Sequence, residues 1–248
     1  MNASVLTALD ADPERASPQA PAARASEVIV IFDFDKTLVT FDTGTAFIQG
    51  LIQRSAARTA LAAVLAPIAG PLLLLPIPIT RLIGLSLFLW AATVGRGPDG
   101  FRELQREFGE AFGENRTRGR VIEVMVEALR QHVRAGHRVV VISGCFDSIV
   151  ELILRRLVDG PIEVIGSRVR HFARGMIGEQ HCIGAAKVRR ALEMGLPDRP
   201  WDVGYSDSAL DLHVLRRCKR RVLVNPSART VAAYRRALGD AFEVRRCG

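Results

Sequence analysis

The sequence predicts an α/β fold: a doubly wound parallel sheet with a helical cap inserted after the first strand. Three observations carry this expectation. Val28-Ile29-Val30-Ile31-Phe32 is a run of five apolar residues, four of them β-branched, as a strand buried on both faces requires. Further strand-like runs at Arg138–Ile142, Ile162–Ile165, Trp201–Tyr205 and Arg221–Val224 alternate with helical patterns, the order of successive βαβ units. Three of these strands end in polar residues, where open α/β sheets bind ligands. Those ends are Asp33 with Asp35, Ser143-Gly144, and Asp207 with Asp211.

Taken in order, residues 1–26 are rich in Ala, Pro, Ser and Asp and read as a disordered leader. The apolar run Val5–Leu9 stops at Asp10 with no basic residue before it, unlike a signal peptide. Residues 27–45 and 138–248 form the expected sheet core, and 46–137 the helical cap. A helical pattern covers Asp42–Gln53, with Phe47, Leu51 and Ile52 on one side. Thr59 to Thr80 then carries no charge and is long enough to span a membrane. Its prolines, Pro67, Pro71, Pro76 and Pro78, do not suit one straight helix. After Arg81 a second uncharged run extends from Leu82 to Gly95. Charged amphipathic helices return between Gly100 and Gly136. A helix is expected over 146–158, a small hairpin within Arg168–His181, and a helix around Lys187. Helices over Asp207–Arg217 and Ala228–Leu238 close the chain.

The net charge of +8 comes almost entirely from arginine, since Lys36, Lys187 and Lys219 are the only lysines. A basic surface suits anionic lipid or a phosphorylated substrate. No DNA- or RNA-binding motif accompanies it, so no nucleic-acid partner is expected, and no obligate protein partner is evident. Cys145, Cys182, Cys218 and Cys247 lack CxxC spacing, which argues against a zinc site or redox pair and fits a reducing compartment. The five histidines have no ligand spacing. Arg168, Arg170 and Arg174 are open to two readings, contact with an anionic substrate or a solvated face.

Two carboxylates at a strand end are costly to bury without a cation or a chemical task. The segments Asp33-Phe-Asp-Lys-Thr37, Ile142-Ser-Gly144, Lys187 and Gly204-Tyr-Ser-Asp-Ser-Ala-Leu-Asp211 resemble the four ordered motifs of haloacid-dehalogenase-like phosphatases. The resemblance implies phosphoryl transfer through an aspartyl-phosphate. Asp33 would be the nucleophile and Asp35 the acid/base. Asp33, the Asp35 carbonyl and Asp207 would hold Mg²⁺, with Asp211 orienting that shell. Ser143 and Gly144 would bind the phosphoryl oxygens, Lys187 would neutralise charge, and Thr37 would fix the loop or touch phosphate. Asp35-Lys36-Thr37 also resembles the phosphorylation sequence of ion pumps. That frame would need a threonine at Val39, whereas Thr37 stands correctly four residues after Asp33.

The stretch between Asp42 and Arg138 is more than twice that between Ser143 and Lys187, so the cap must be the first insertion. This resembles the phosphoserine-phosphatase-like branch, in which an acid nine residues after the nucleophile reads a substrate amine; here Asp42 stands there. The apolar cap, Cys182-Ile-Gly184 and Gly204-Tyr-Ser-Asp-Ser208 resemble bacterial phosphatidylglycerophosphatase C proteins. That implies a lipid phosphomonoester substrate and a membrane surface as partner, at the cytoplasmic face of the inner membrane. The alternatives are a soluble, cytoplasmic phosphatase of small metabolites, of phosphoserine-phosphatase type, and a non-catalytic membrane-bound phosphate-binding protein, against which the intact acid pair argues. Asp33 precedes the apolar segment while Ser143, Lys187 and Asp207 follow it. A single membrane span is thereby excluded if all four share one site, and a proline-broken hairpin or shallow insertion remains.

Overall fold

The computed structural model describes residues 27–75, 77–113 and 120–247. The leader lies outside them. Strand β1 (Ile29–Phe32) is followed by helices α1 (Thr43–Gln53), α2 (Ala56–Leu74), α3 (Pro78–Thr93), α4 (Pro98–Gly113) and α5 (Glu123–Arg134). Then come β2 (Arg138–Phe146), α6 (Asp147–Leu157), β3 (Glu163–Phe172), β4 (Gly175–Gln180) and α7 (Ala185–Glu193). The chain closes with β5 (Trp201–Ser206), α8 (Leu212–Leu215), β6 (Cys218–Val224), α9 (Ala228–Leu238) and β7 (Glu243–Arg245).

The strands form one sheet in the order β4-β3-β2-β1-β5-β6-β7, parallel except for the antiparallel β3–β4 pair. β1 sits at the centre with all four residues buried. Its period of two divides it between the faces. Val30 and Phe32 join one core cluster with α5 and α6, whereas Ile29 and Ile31 join another containing Ala191, Leu215 and Tyr234 of α7, α8 and α9. Because β2 lies on one side of β1 and β5 on the other, the strand order reverses at β1. The carboxyl end of β1 is therefore the crevice of the sheet.

Four details differ from the sequence reading. The third strand and the first arm of the hairpin are one strand, β3, bent by a register shift against β2. The helix expected over Asp207–Arg217 opens as a short 3-10 turn, Ala209–Asp211, capped by the Ser208 side chain, and continues only to Leu215. The short polar edge strand β7 carried no apolar pattern to announce it. Pro67 and Pro71 stay inside α2, and the helix breaks instead at Leu75–Ile77. Both prolines are on the exposed side, where they remove the helical donors to the carbonyls of Ala63 and Pro67. Leu75 and Ile77 each precede a proline and are extended, as the ring of the following residue demands.

The inserted helices divide in their packing. α5 contributes Met125, Val126 and Leu129 to the same cluster as β1 and β2, and α4 contributes Phe101 and Leu104. α2 and α3 pack on one another where Gly84 lets the backbones approach; a Cβ there would stand 2.9 Å from the Ala69 carbonyl. α3 is clasped by β4: Met176 N donates to Thr93 Oγ1 at 2.9 Å and Gly178 N to Ser86 Oγ at 3.0 Å. Trp90 Nε1 donates to the Ala173 carbonyl at 3.0 Å.

Candidate functional site

The Asp33 amide donates to the Tyr205 carbonyl at 2.9 Å, so the chain keeps to the sheet for one residue past β1. It then turns sharply. Leu38 N returns to the Phe34 carbonyl at 2.8 Å, and Lys36 adopts a left-handed backbone with φ 59°. A non-glycine residue in that region costs about 1–3 kcal/mol, the kind of strain that collects at functional sites. The turn brings Thr37 back beneath Asp33. Thr37 Oγ1 donates to Asp33 Oδ2 and accepts from the Asp207 amide, both at 3.1 Å. One hydroxyl thus ties the β1 and β5 loops together.

Lys187 arrives from the opposite face of the sheet. Gly184, with φ 56° and ψ −131°, makes the turn into α7 that few other residues tolerate. Lys187 Nζ donates to Asp33 Oδ1 at 2.6 Å and Asp211 Oδ2 at 2.9 Å. Asp211 in turn accepts from Ser206 Oγ at 2.7 Å. Burial would push the Lys187 pKa down, but Asp211 and Asp33 outweigh it and hold the ammonium firmly protonated.

The two acids of the first motif have different surroundings. Asp33 is nearly fully buried, and burial raises its pKa against the opposing pull of Lys187, with Asp211 and Asp207 adding to the rise. Asp35 accepts the Thr43 amide at 2.8 Å on Oδ1, at the first residue of α1. Its pKa is pushed up to about 6, chiefly by burial, against the Thr43 hydrogen bonds and with Asp42 assisting. Asp207 is likewise raised to about 6, by burial and by Asp211, with Lys36 and Lys187 opposing.

A cavity of about 490 Å³ lies above these groups. Its floor includes Asp33, Asp35, Gly144, Lys187, Asp207 and Asp211. Ser143 and Thr37, expected to meet phosphate, do not line it. Both are fully buried, and the Ser143 hydroxyl accepts the Cys145 amide at 2.9 Å, holding the irregular end of β2 from which Gly144 faces the cavity. The roof comes from α1, α2 and α3 and is apolar, through Ile48, Leu73, Leu82, Leu85 and Leu89. Asp42, Arg81, Arg168 and His181 stand among these groups, while Arg170 and Arg174 do not line the cavity. Asp42 also caps α1, accepting the Thr45 amide at 2.8 Å.

Sequence reasoning gave no role to Ser206 or Ser167. The Ser167 hydroxyl donates to the Gly144 carbonyl at 2.7 Å and accepts the Cys182 amide at 2.9 Å, fixing the β2 loop. Ser206 stood within a quoted motif and could have been found there; Ser167 has no local signal.

The donor chemistry fits a hard divalent cation. Asp33, Asp35 and Asp207 offer only oxygen on one floor, and the buried charge is in excess. Asp211 and Asp207 raise the proton affinity of Asp33, and Asp211 raises that of Asp207, while Lys187 is the buried cation paired with Asp33 and Asp211. Among the described residues no three His, Cys, Asp or Glu side chains are grouped as a metal site. A set of two carboxylates and one backbone carbonyl does not require such a group.

The site is a set of aspartates partly neutralised by Lys187 at the point where the order of a parallel sheet reverses. A family model, haloacid dehalogenase-like hydrolase, matches residues 30–216, and the chain belongs to that family. No curated protein matches the sequence. Among solved structures, a protein of unknown function from Bordetella pertussis Tohama I is similar at TM-score 0.64 and 19% identity, covering 88% of this chain and 97% of that one. A substrate-bound phosphoserine phosphatase is similar at TM-score 0.53 and 17% identity, over 89% of this chain and 94% of that one. Cytosolic 5'-nucleotidase IIIB bound to cytidine is similar at TM-score 0.53 and 13% identity, over 89% and 81%. These likenesses establish the shared fold.

Proposed function

We propose that the protein is a phosphomonoester hydrolase acting through an aspartyl-phosphate on Asp33. The observation that carries this reading is the ion pair of Asp33 with Lys187 at 2.6 Å, with Asp35 beside it on the cavity floor and hydrogen-bonded to the Thr43 amide instead of the lysine. An Asp33 oxygen attacks phosphorus as the ester P–O bond breaks, and Asp35 gives its proton to the leaving oxygen. Water then attacks the phosphorus of the acyl phosphate. Asp35 takes its proton, the bond to Asp33 breaks, and inorganic phosphate leaves. Lys187 offsets the charge gathered on Asp33 and the phosphoryl group, and the Gly144 amide binds a phosphoryl oxygen. Thr37, Asp211 and Ser206 position Asp33 and Lys187. Asp33, the Asp35 carbonyl and Asp207 would hold Mg²⁺, which supplies the positive charge that lets phosphate approach a carboxylate.

The substrate we propose is the phosphomonoester of a lipid headgroup, phosphatidylglycerophosphate yielding phosphatidylglycerol, at the cytoplasmic face of the inner membrane. The support is the cavity itself, in which an apolar wall stands directly over the aspartate and lysine floor. Asp42 favours a second reading. It lines the same cavity at the position an amine-reading acid would take, as in a cytoplasmic phosphoserine-type enzyme. Phosphate release from phosphatidylglycerophosphate in mixed micelles, compared with phosphoserine, decides between them; preference for phosphoserine would reverse the order. Asp33→Asn is expected to abolish release from either substrate with the fold retained. Turnover by that variant would remove Asp33 as nucleophile.

A further inference from the structure

Among the described residues, the outer surface of the α2–α3 hairpin stands exposed. Seven of the twelve large hydrophobic residues that stand exposed among the described residues are on it or at its tip. Val64 is 73% exposed and Leu74 86%, with Ile68, Ile77, Ile79 and Ile83 beside them. Patches of this kind on soluble monomers mark interaction sites. Among the described residues α2 is the one single helix long and apolar enough to cross a membrane, yet only 11% of its apolar window is buried. A single crossing by α2 is excluded. Asp33 before the hairpin and Lys187 after it meet at 2.6 Å, so the chain returns to the side it left.

The charge pattern selects the occupant. Between Asp42 and Asp99 there is no acid, and there are four arginines, Arg54, Arg58, Arg81 and Arg96. Only Arg54 forms an ion pair among the described residues, with Glu107. Arg58 and Arg96, without an ion pair among the described residues, lie at the base of the hairpin, and Arg81 lines the cavity near the hairpin's tip. An acid-free apolar hairpin bearing such arginines matches an interface of acyl chains and anionic headgroups. The hairpin is also two-sided at its tip: Leu73 lines the cavity while Leu74 points out, and Leu82 lines it while Ile83 points out.

We propose that the outer face and tip of the α2–α3 hairpin dock in the interface of a bilayer containing anionic lipid, without spanning it, so that the catalytic cavity opens at the lipid surface. This deepens the lipid reading above and rests on it only for what enters the cavity. The test is flotation of the full chain with unilamellar vesicles of phosphatidylcholine alone or with phosphatidylglycerol. The protein is expected to float with the anionic vesicles, and at least tenfold less with neutral ones or in high salt. Leu74→Asp/Ile77→Asp/Ile79→Asp is expected to reduce flotation at least tenfold while p-nitrophenyl phosphate turnover is unchanged. Ile68→Glu, on the α2 face, should act in the same direction and guards against a folding defect at the tip. Undiminished flotation of both variants, or equal flotation with neutral vesicles, would overturn the proposal. So would a wild-type dimer that does not float and that the triple substitution dissolves, since a second copy would then cover the patch. Flotation through the tip without phosphate release from phosphatidylglycerophosphate would uphold docking and sink the lipid substrate instead.

Discussion

Asp33 and Lys187 are far apart in the sequence, and their pairing is an electrostatic balance in which no member can be removed alone. Lys187 bridges two buried carboxylates, so Asp211→Asn withdraws one partner and weakens the hold of Ser206. Loss of a partner that only orients the reacting groups costs roughly 10–100-fold in activity. A drop of that size in kcat with little change in KM is expected, read from phosphate release at saturating substrate. A second residue-scale effect lies away from the site. His132 shares its ring nitrogens with His137 at 2.8 Å and with the Tyr205 hydroxyl at 3.1 Å, and its pKa is lowered to about 4 by burial, then by His137 and Arg220. The unfolded chain, with an ordinary histidine, binds more protons than the native one between about pH 4 and 6.5. Stability is therefore expected to fall as the pH drops through that window. His132→Gln should flatten the pH dependence of the urea midpoint; an unchanged slope would rule this group out. The main site residues were legible because chemistry repeats in short motifs at strand ends. The cluster of His132, His137 and Tyr205 was not, because its members come from a helix end, a turn and a strand with no shared spacing.

At the scale of elements, the sequence pattern read best where one period dominated. β1 and α9 are apolar at strict spacing, and the expected boundaries of α9 match the observed ones. Elements set by tertiary contact read worst. β7 has no apolar stripe, and the arrest of α8 at Leu215 follows from nothing in its own composition. The clasp between α3 and β4 belongs to the same class. It depends on small residues in β4: a Cβ at Gly175 would stand 2.7 Å from Trp90 Cδ1, and one at Gly178 2.6 Å from Leu82 Cδ1. Ser86→Ala with Thr93→Val leaves the amides of Gly178 and Met176 without acceptors. An unmatched buried amide costs about 1–3 kcal/mol and that of Gly178 is only part-buried, so the double substitution should lower unfolding free energy by about 1–4 kcal/mol. Chemical denaturation measures the loss. No loss would mean that the roof is not held by this clasp.

For the whole molecule, the reversal of strand order at β1 gathers onto one floor more negative charge than its lysines neutralise. That floor costs folding free energy until a cation offsets it. A divalent ion bound there binds the native state and has no assembled site in the unfolded chain, so it must raise stability by mass action. At a hundredfold excess over its dissociation constant the gain is about 2.7 kcal/mol. For a chain of this size each kcal/mol is worth about 2–4 °C, so Mg²⁺ is expected to raise the melting temperature by roughly 5–10 °C over the chelated protein. Chelation should abolish phosphate release and added Mg²⁺ restore it. Asp207→Asn supplies the control that separates specific binding from a general salt effect. It removes a carboxylate whose proton affinity burial and Asp211 already raise. The metal-free variant should therefore be at least as stable as the metal-free wild type, yet gain little from Mg²⁺. Equal thermal shifts in the two proteins would place the cation elsewhere and leave the excess charge of the floor to be met by the substrate's own surroundings.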